Sequence, residues 1–167
     1  ERLSGALVQG IEPELEQAVA SVGKAMQTGQ LGQLVKGEYN IILGSALAEH
    51  LRVSVGDSVV LVIAQGQITP AGLMPRMRRF AVSGIFEIGM YEYDRHVGYI
   101  DMGDAARLYR TGDNVSGLRL KLEDMFQAPQ VVREVARSLG GSFFVSDWTR
   151  EHRNFFRSIQ VTKRIMF

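Results

Sequence analysis

The sequence predicts an α+β fold, and three patterns carry that prediction. Ser58 to Ala64 (SVVLVIA) is apolar almost throughout, and Phe80 to Glu87 returns with similar character, as strands covered on both faces do. Two stretches, from Pro13 to Met26 and from Pro129 to Leu139, space their apolar residues at helical intervals. Gly117 to Leu122 sets Leu118, Leu120 and Leu122 against Arg119, Lys121 and Glu123, the alternation of a half-buried strand.

In chain order, Leu3 to Ile11 suits a short strand. Glu12-Pro13-Glu14 reads as a helix start, because proline is tolerated in the first turn and acids favour the positive end of the dipole. Leu15, Ala18, Val19, Val22 and Met26 continue that helix. Thr28 to Gly37 holds three glycines and reads as a loop anchored by Leu31 and Leu34. Tyr39 to Leu43 is a predicted strand, and Ser45 to Leu51 a short helix capped by Ser45. Val55-Gly56-Asp57 turns into the strand 58–64.

After a long connection, the strand from Phe80 places Phe80, Val82 and Gly84 on one face and Ala81, Ser83 and Ile85 on the other. Val97 to Ile100 is a strand and Met102 to Tyr109 a short helix. Pro129 opens the helix that carries Val131, Val132, Val135, Ala136 and Leu139, and Gly140-Gly141 ends it. Ser142 to Ser146 is a strand. A final helix starts near Trp148, with Asp147 as its cap and Trp148, Phe155, Phe156, Ile159 and Met166 as its apolar stripe.

Composition narrows the function classes. The apolar fraction of 46% is that of a globular protein, not a disordered one. With 19 basic and 18 acidic residues the net charge is +1, so no global field attracts nucleic acid; Arg76, Arg78 and Arg79 form a local exception. Cysteine is absent, which excludes disulfides, zinc–thiolate sites and thiol nucleophiles. Both termini read as cut ends, and apolar character rises through Arg164-Ile165-Met166-Phe167. The expectation is a soluble piece of a larger protein, with a membrane helix following it.

Motifs of catalysis are missing. His50, His96 and His152 have no second ligand at metal spacing; His50 reads as a surface histidine and His152 as part of a solvated helix face. Gly23-Lys24 lacks the upstream glycine of a phosphate loop, since Ala18 stands there. Tyr91-Glu92-Tyr93-Asp94 offers one carboxylate pair: as a strand it puts Glu92 and Asp94 on one face, where an acid and a base could work together. The competing reading makes Gly89-Met90-Tyr91 a bend, packs Tyr91 and Tyr93 on the domain and leaves both acids solvated. Asn114-Val115-Ser116 matches a glycosylation sequon, a short pattern with little force.

The long connection from Gln65 to Arg79 is the strongest candidate for function, because loops of this length in compact domains are usually functional or disordered. Thr69-Pro70 and Met74-Pro75 bracket Ala71-Gly72-Leu73. The prolines stiffen the arms and leave the tip to turn, which lowers the entropy lost on binding. Ile68, Leu73, Met74 and Met77 supply apolar surface, and Arg76, Arg78 and Arg79 a basic base. The alternative is that the loop folds back and Leu73 and Met74 plug the domain's own core.

The order of several stretches resembles a known family. Asn40-Ile41-Ile42-Leu43-Gly44 with Leu47-Ala48, Val55-Gly56-Asp57, Thr69-Pro70 through Pro75 to Arg79-Phe80, Gly84-Ile85-Phe86 and Gly89-Met90-Tyr91-Glu92-Tyr93-Asp94 carry the likeness. Val115-Ser116-Gly117, Phe126-Gln127-Ala128-Pro129 and Asp147-Trp148 extend it, and Lys163 to Phe167 resembles a lead-in to a membrane helix. Together they resemble the periplasmic domain of lipoprotein-releasing ABC transporter permeases of the LolC/LolE type.

The resemblance implies a MacB-like periplasmic domain with no catalytic site and no cofactor. A porter-like α/β subdomain (1–39 plus 117–167) would carry an inserted β-rich, sabre-like subdomain (40–116) with a protruding hairpin. The parent permease would take lipoproteins from the bacterial inner membrane and pass them to a periplasmic LolA-type chaperone, with ATP hydrolysed by a separate cytoplasmic subunit and a partner permease alongside. Carried over by motif, the chaperone-binding hook is Ile68, Thr69, Pro70, Ala71, Gly72, Leu73, Met74 and Pro75, and the pad includes Met77 and Arg78. Ala71 departs from the large apolar residue that often follows Thr-Pro in the family, so Leu73 and Met74 become the expected anchors. The runner-up is a MacB-like domain of an efflux or export permease, whose loop would contact an adaptor protein or a neighbouring subunit.

Overall fold

The computed structural model describes residues 2–69, 72–140 and 143–147, and of residues 64–69 and 72–74 it describes the backbone alone. The chain forms two compact units, residues 1–119 and 120–167. The first holds a six-stranded mixed sheet with helices on both faces, consistent with the predicted α+β class. In the second, the described elements are a short 3₁₀ turn and the helix from Ala128 to Leu139, which ends on Gly140 in the left-handed conformation as its sequence predicts.

The sheet is built around β3 (Asn40–Gly44), whose residues 41–44 are all buried because both faces are covered. On one side β6 (Val97–Asp101) runs antiparallel to it, with β1 (Leu7–Ile11) parallel beyond. On the other side β5 (Gly72–Phe86) runs parallel, and β2 (Met26–Thr28) pairs with its end. β4 (Ser58–Thr69) is antiparallel to β5 and lies off this path.

Alternation along the strands sorts apolar residues into two cores. Ile41, Leu43, Phe80, Val82 and Ile100 pack with Leu47 and Ala48 of α2 (Ser45–Leu51) and with Ala105 and Leu108 of α4 (Met102–Tyr109). Ile42, Phe86, Val97 and Tyr99 pack on the opposite face with Ile11, Val22, Leu31 and Leu34. Each fully buried aliphatic or aromatic side chain contributes about 1.5–3 kcal/mol.

A bulge makes β5 serve both cores. Ile41 pairs with Val82, but Ile42 pairs with Gly84, so Ser83 is an extra residue. Phe80 and Val82 face the first core and Phe86 the second. The face assignment predicted for Phe80 to Ile85 is therefore corrected: Ile85 packs against the same core as Val82.

Two buried carboxylates hold loops to this frame. Asp104 of α4 accepts hydrogen bonds from the backbone N–H of Gly37 at 2.8 Å and of Tyr39 at 3.1 Å, where both residues take positive φ. Arg107 lies 3.5 Å from the same carboxylate. In α3 (Tyr91–His96), Asp94 accepts from the N–H groups of Ile88 and Gly89 at 2.8 and 3.0 Å. α3 also approaches Gly44 so closely that a Cβ there would lie 2.1 Å from the Asp94 carbonyl oxygen.

Several sequence expectations change. The first helix, α1, covers Pro13–Val19 and stops at Ala20; a 3₁₀ turn follows at Val22–Ala25, and Met26 enters β2. Hydrogen bonding of β2 to the end of β5 outcompetes continuation of the helix. Gly44 occupies the cap position of α2, and Ser45 is its first helical residue with no side-chain cap bond. Residues 117–122 form no strand, and Leu118 and Leu120 are 88% and 68% exposed, because an alternating segment needs a ladder partner that the described residues do not provide. Residues 143–147 are likewise not strand. The final helix, with Trp148 and its stripe, lies outside the described residues.

Asp104→Ala strands two N–H donors and should lower stability by roughly 2–3 kcal/mol, read as a shift of the urea midpoint, with Asp104→Asn losing less. A second expectation concerns alkaline pH. Burial, reinforced by the hydrogen bond to the Tyr93 hydroxyl, pushes the Tyr99 pKa far above its ordinary value. The unfolded chain gives up that proton near pH ~10 whereas the folded chain keeps it, so stability is full below that pH and falls as pH rises beyond it. Tyr99→Phe should flatten this alkaline decline in thermal-melting profiles.

Candidate functional site

The segment 65–79, expected as a long hairpin loop, is strand through most of its length. β4 continues to Thr69 and β5 begins at Gly72, and these two residues are paired. The pairing places Ile68 opposite Leu73 and Gln67 opposite Met74. Pro70 and Ala71, expected at the tip of the hook, lie outside the described residues.

The ladder is interrupted once. It runs from Ser58 opposite Ala81 to Ile63 opposite Arg76, then resumes at Gln67 opposite Met74. Residues 64–66 of β4 thus stand against Pro75 alone. Proline has no N–H to give to a ladder, and a bulge is where a strand accommodates it. The prolines argue locally against strand, so the extent of the pairing is not visible in the sequence.

The two halves of β5 have different partners. Residues 81–86 bond to β3, and among the described residues 72–80 pair with β4 alone. The hairpin is therefore a two-stranded ribbon continuing from a strand of the sheet. Cross-strand partners share a face. Val59 with Phe80, Leu61 with Arg78 and Ile63 with Arg76 occupy one face, and Val59, Leu61 and Ile63 pack against the first core. Val60 with Arg79 and Val62 with Met77 occupy the other, where Val60, Val62 and Met77 are 52%, 57% and 64% exposed.

The three arginines occupy different settings. Arg76 is partly buried, and its Nη1 donates to the carbonyl oxygens of Leu108 and Tyr109, 3.4 Å away in the last turn of α4. Arg78 is exposed and stacks over the ring of Tyr39, with 3.8 Å from Cζ to the centroid, while Tyr39 meets Phe80 edge-on. Arg79 is exposed beside Val60. Met77 and Arg78, expected together in the pad, are both accessible but lie on opposite faces of the ribbon.

The other candidate chemistry does not assemble. Glu92 and Asp94 lie on a helix, α3, rather than on a strand. Asp94 is buried and committed to the N–H groups of Ile88 and Gly89, which also corrects the expectation of a solvated acid. Glu92 is exposed and lies 3.5 Å from His96. Tyr93 bonds to Tyr99, but Tyr91 is exposed rather than packed. A cleft of about 750 Å³ beside α4 is lined by Lys36, Asp101, Arg107, Arg110 and Asp113 among others, and Glu92 and Asp94 are not among its walls. Its Asp101 is occupied in capping α4 through Gly103 and Asp104 N–H. His50 lies in the last turn of α2, and His152 lies outside the described residues. Among the described residues no group of three or more histidines and acids could hold a metal ion, and no helix is long and apolar enough to cross a membrane.

Sequence comparison gives this hairpin a context. No family model matches the chain. It is 45% identical over 166 residues to the lipoprotein-releasing system transmembrane protein LolC of Xylella fastidiosa (strain 9a5c), covering 99% of this chain and 40% of that protein. The LolC protein of Neisseria meningitidis serogroup B is 37% identical over the same coverage. The LolE protein of Haemophilus influenzae is 26% identical over 96% of this chain and 38% of its own length. The chain thus spans about two-fifths of the length of the curated relatives it matches. As a segment of that length, the chain belongs to the LolC/LolE-type family of lipoprotein-releasing system transmembrane proteins.

Proposed function

We propose that this chain is a non-catalytic, periplasmic domain of an inner-membrane ABC transporter permease that releases lipoproteins and hands them to a periplasmic LolA-type chaperone, captured by the β4–β5 hairpin. ATP hydrolysis then belongs to a separate subunit, and a partner permease completes the membrane part. The relatives' names support the lipoprotein-releasing role. The observation that carries the chaperone reading is the ribbon itself, whose residues 72–80 bond to β4 alone among the described residues while its base is continuous with the sheet. Such a ribbon presents a short apolar hook without a large ordering cost on binding.

Within this reading the hook is Ile68 to Pro75, with Leu73 and Met74 as anchors in place of Ala71. The pad residues act from two sides. Met77, with Val62 and Val60, offers apolar surface on the outward face, and Arg78 offers charge from its perch on Tyr39. We extend the proposal to a subdomain division, residues 1–39 plus 117–167 around an inserted 40–116, in which strands of 1–39 and of 40–116 share one sheet. β3 to β6 and α2 to α4 come from residues 40–116, the span assigned to the inserted part, while β1 and β2 come from residues 1–39.

Replacing Ile68 to Leu73 by Asn-Gly tests the hook. Gln67 and Met74 are ladder partners, so a two-residue turn between them keeps the register of the remaining hairpin. The shortened chain should keep its circular dichroism and lose binding to the purified chaperone in a titration; unchanged affinity would sink the proposal. Capture of an adaptor protein instead would favour an efflux-type permease. Arg78→Glu should slow association, with the wild-type rate falling steeply as salt is raised. A salt-independent wild-type rate counts against a role for Arg78.

A further inference from the structure

We infer that Arg76 is the positioning residue of the hairpin, a strut that ties the base of the ribbon to the C-terminal end of α4 and sets the direction in which the hook is presented. This inference rests on reading the hairpin as the partner-binding element.

Three observations converge on Arg76. It is the last residue of the continuous ladder before the bulge, paired with Ile63, which itself packs against the first core. Its Nη1 reaches two carbonyl oxygens of α4 at 3.4 Å each, contacts made across 32 and 33 residues of chain. Its Nε is buried with no hydrogen-bond partner. Burying part of a guanidinium without full satisfaction is costly, so a solvated surface role does not account for its placement.

The electrostatics fit a strut. The last carbonyls of a helix lack intrahelical donors and carry the negative end of its dipole, and a cation there is favourable. The chain leaves α4 through Arg110 in the left-handed conformation, with the Arg110 N–H bonded to Ala106. The Leu108 and Tyr109 carbonyls are open to an outside donor, and Arg76 supplies it. Past Arg76 the ladder breaks at Pro75, so any rotation of the ribbon about its base is resisted at this residue.

The absence of native cysteine allows a direct test, since two introduced thiols are then the only labelling sites. Spin labels at Glu49→Cys on α2 and Gln67→Cys near the tip report the orientation of the hairpin relative to the sheet. With Arg76 intact, the measured distance distribution should be narrow. Arg76→Gln, which removes the charge, should broaden it, and Arg76→Lys, which keeps a cation at the carbonyls, should fall between. Thermal melting should change little across the three. Chaperone affinity should fall about threefold to tenfold in Arg76→Gln, the scale of one or two lost hydrogen bonds and their preorganisation, with partial rescue in Arg76→Lys.

An unchanged distribution in Arg76→Gln overturns the inference, whatever the chaperone does. A broadened distribution with wild-type affinity also overturns it, because orientation would not then matter for capture. If Arg76→Gln fails to fold, Arg76→Lys decides alone: a width equal to wild type rejects the strut. Absence of binding by the unaltered chain rejects the functional reading instead, and the distance measurement then judges the strut by itself.

Discussion

The molecule depends on one strand having two sets of partners. The C-terminal half of β5 bonds to β3 and closes the sheet, and its N-terminal half bonds to β4 and builds the ribbon. Because a strand cannot bend sharply without losing ladder bonds, the base of the hairpin inherits its direction from the sheet. Phe80 stands at the changeover, fully buried between Tyr39 and the first core. The bulge at Ser83 then lets the same strand place Phe86 in the second core, so β5 links both hydrophobic layers to the ribbon.

Side chains from outside the sheet complete that arrangement. Asp104 fixes the loop that delivers Tyr39, Tyr39 supports both Phe80 and Arg78, and Arg76 reaches the end of the helix that carries Asp104. A buried acid in α4, an aromatic in the loop before β3 and two arginines of β5 thereby form one connected set around the base of the hairpin. The contacts differ in kind: charge-assisted bonds to backbone, an edge-to-face ring pair and a cation over a ring face. They share the property of being directional, which apolar packing alone is not.

Much of the frame was legible in the sequence. β3, β6, α2, α4 and the helix ended by Gly140 announce themselves through apolar runs, helical spacing and glycine punctuation. Leu118 and Leu120 show the limit of periodicity, since alternation marks a segment able to be a strand but does not provide its partner. Met26 shows another, where a helical spacing was overruled by pairing with Phe86. At the candidate site the sequence marks a long hairpin, but Pro75 lies opposite a bulge that no local pattern reveals. The separate settings of Arg76, Arg78 and Arg79 depend on strand parity and on contacts some thirty residues or more away, as with Arg76 and Leu108, which a linear reading does not contain.

The ribbon also has an edge. Among the described residues β4 pairs on one side only, with β5, so its other side offers a row of backbone donors and acceptors to any extended chain that passes. With Val60 and Val62 facing outward beside that row, this is the part of the fold most open to adding a strand from a neighbouring molecule. The irregularity at residues 64–66 breaks the row, and Arg79 sets a charge beside Val60. The bulge and the charge therefore guard this edge against self-association, and a substitution that straightened the bulge or neutralised Arg79 would weaken solubility before it weakened the fold.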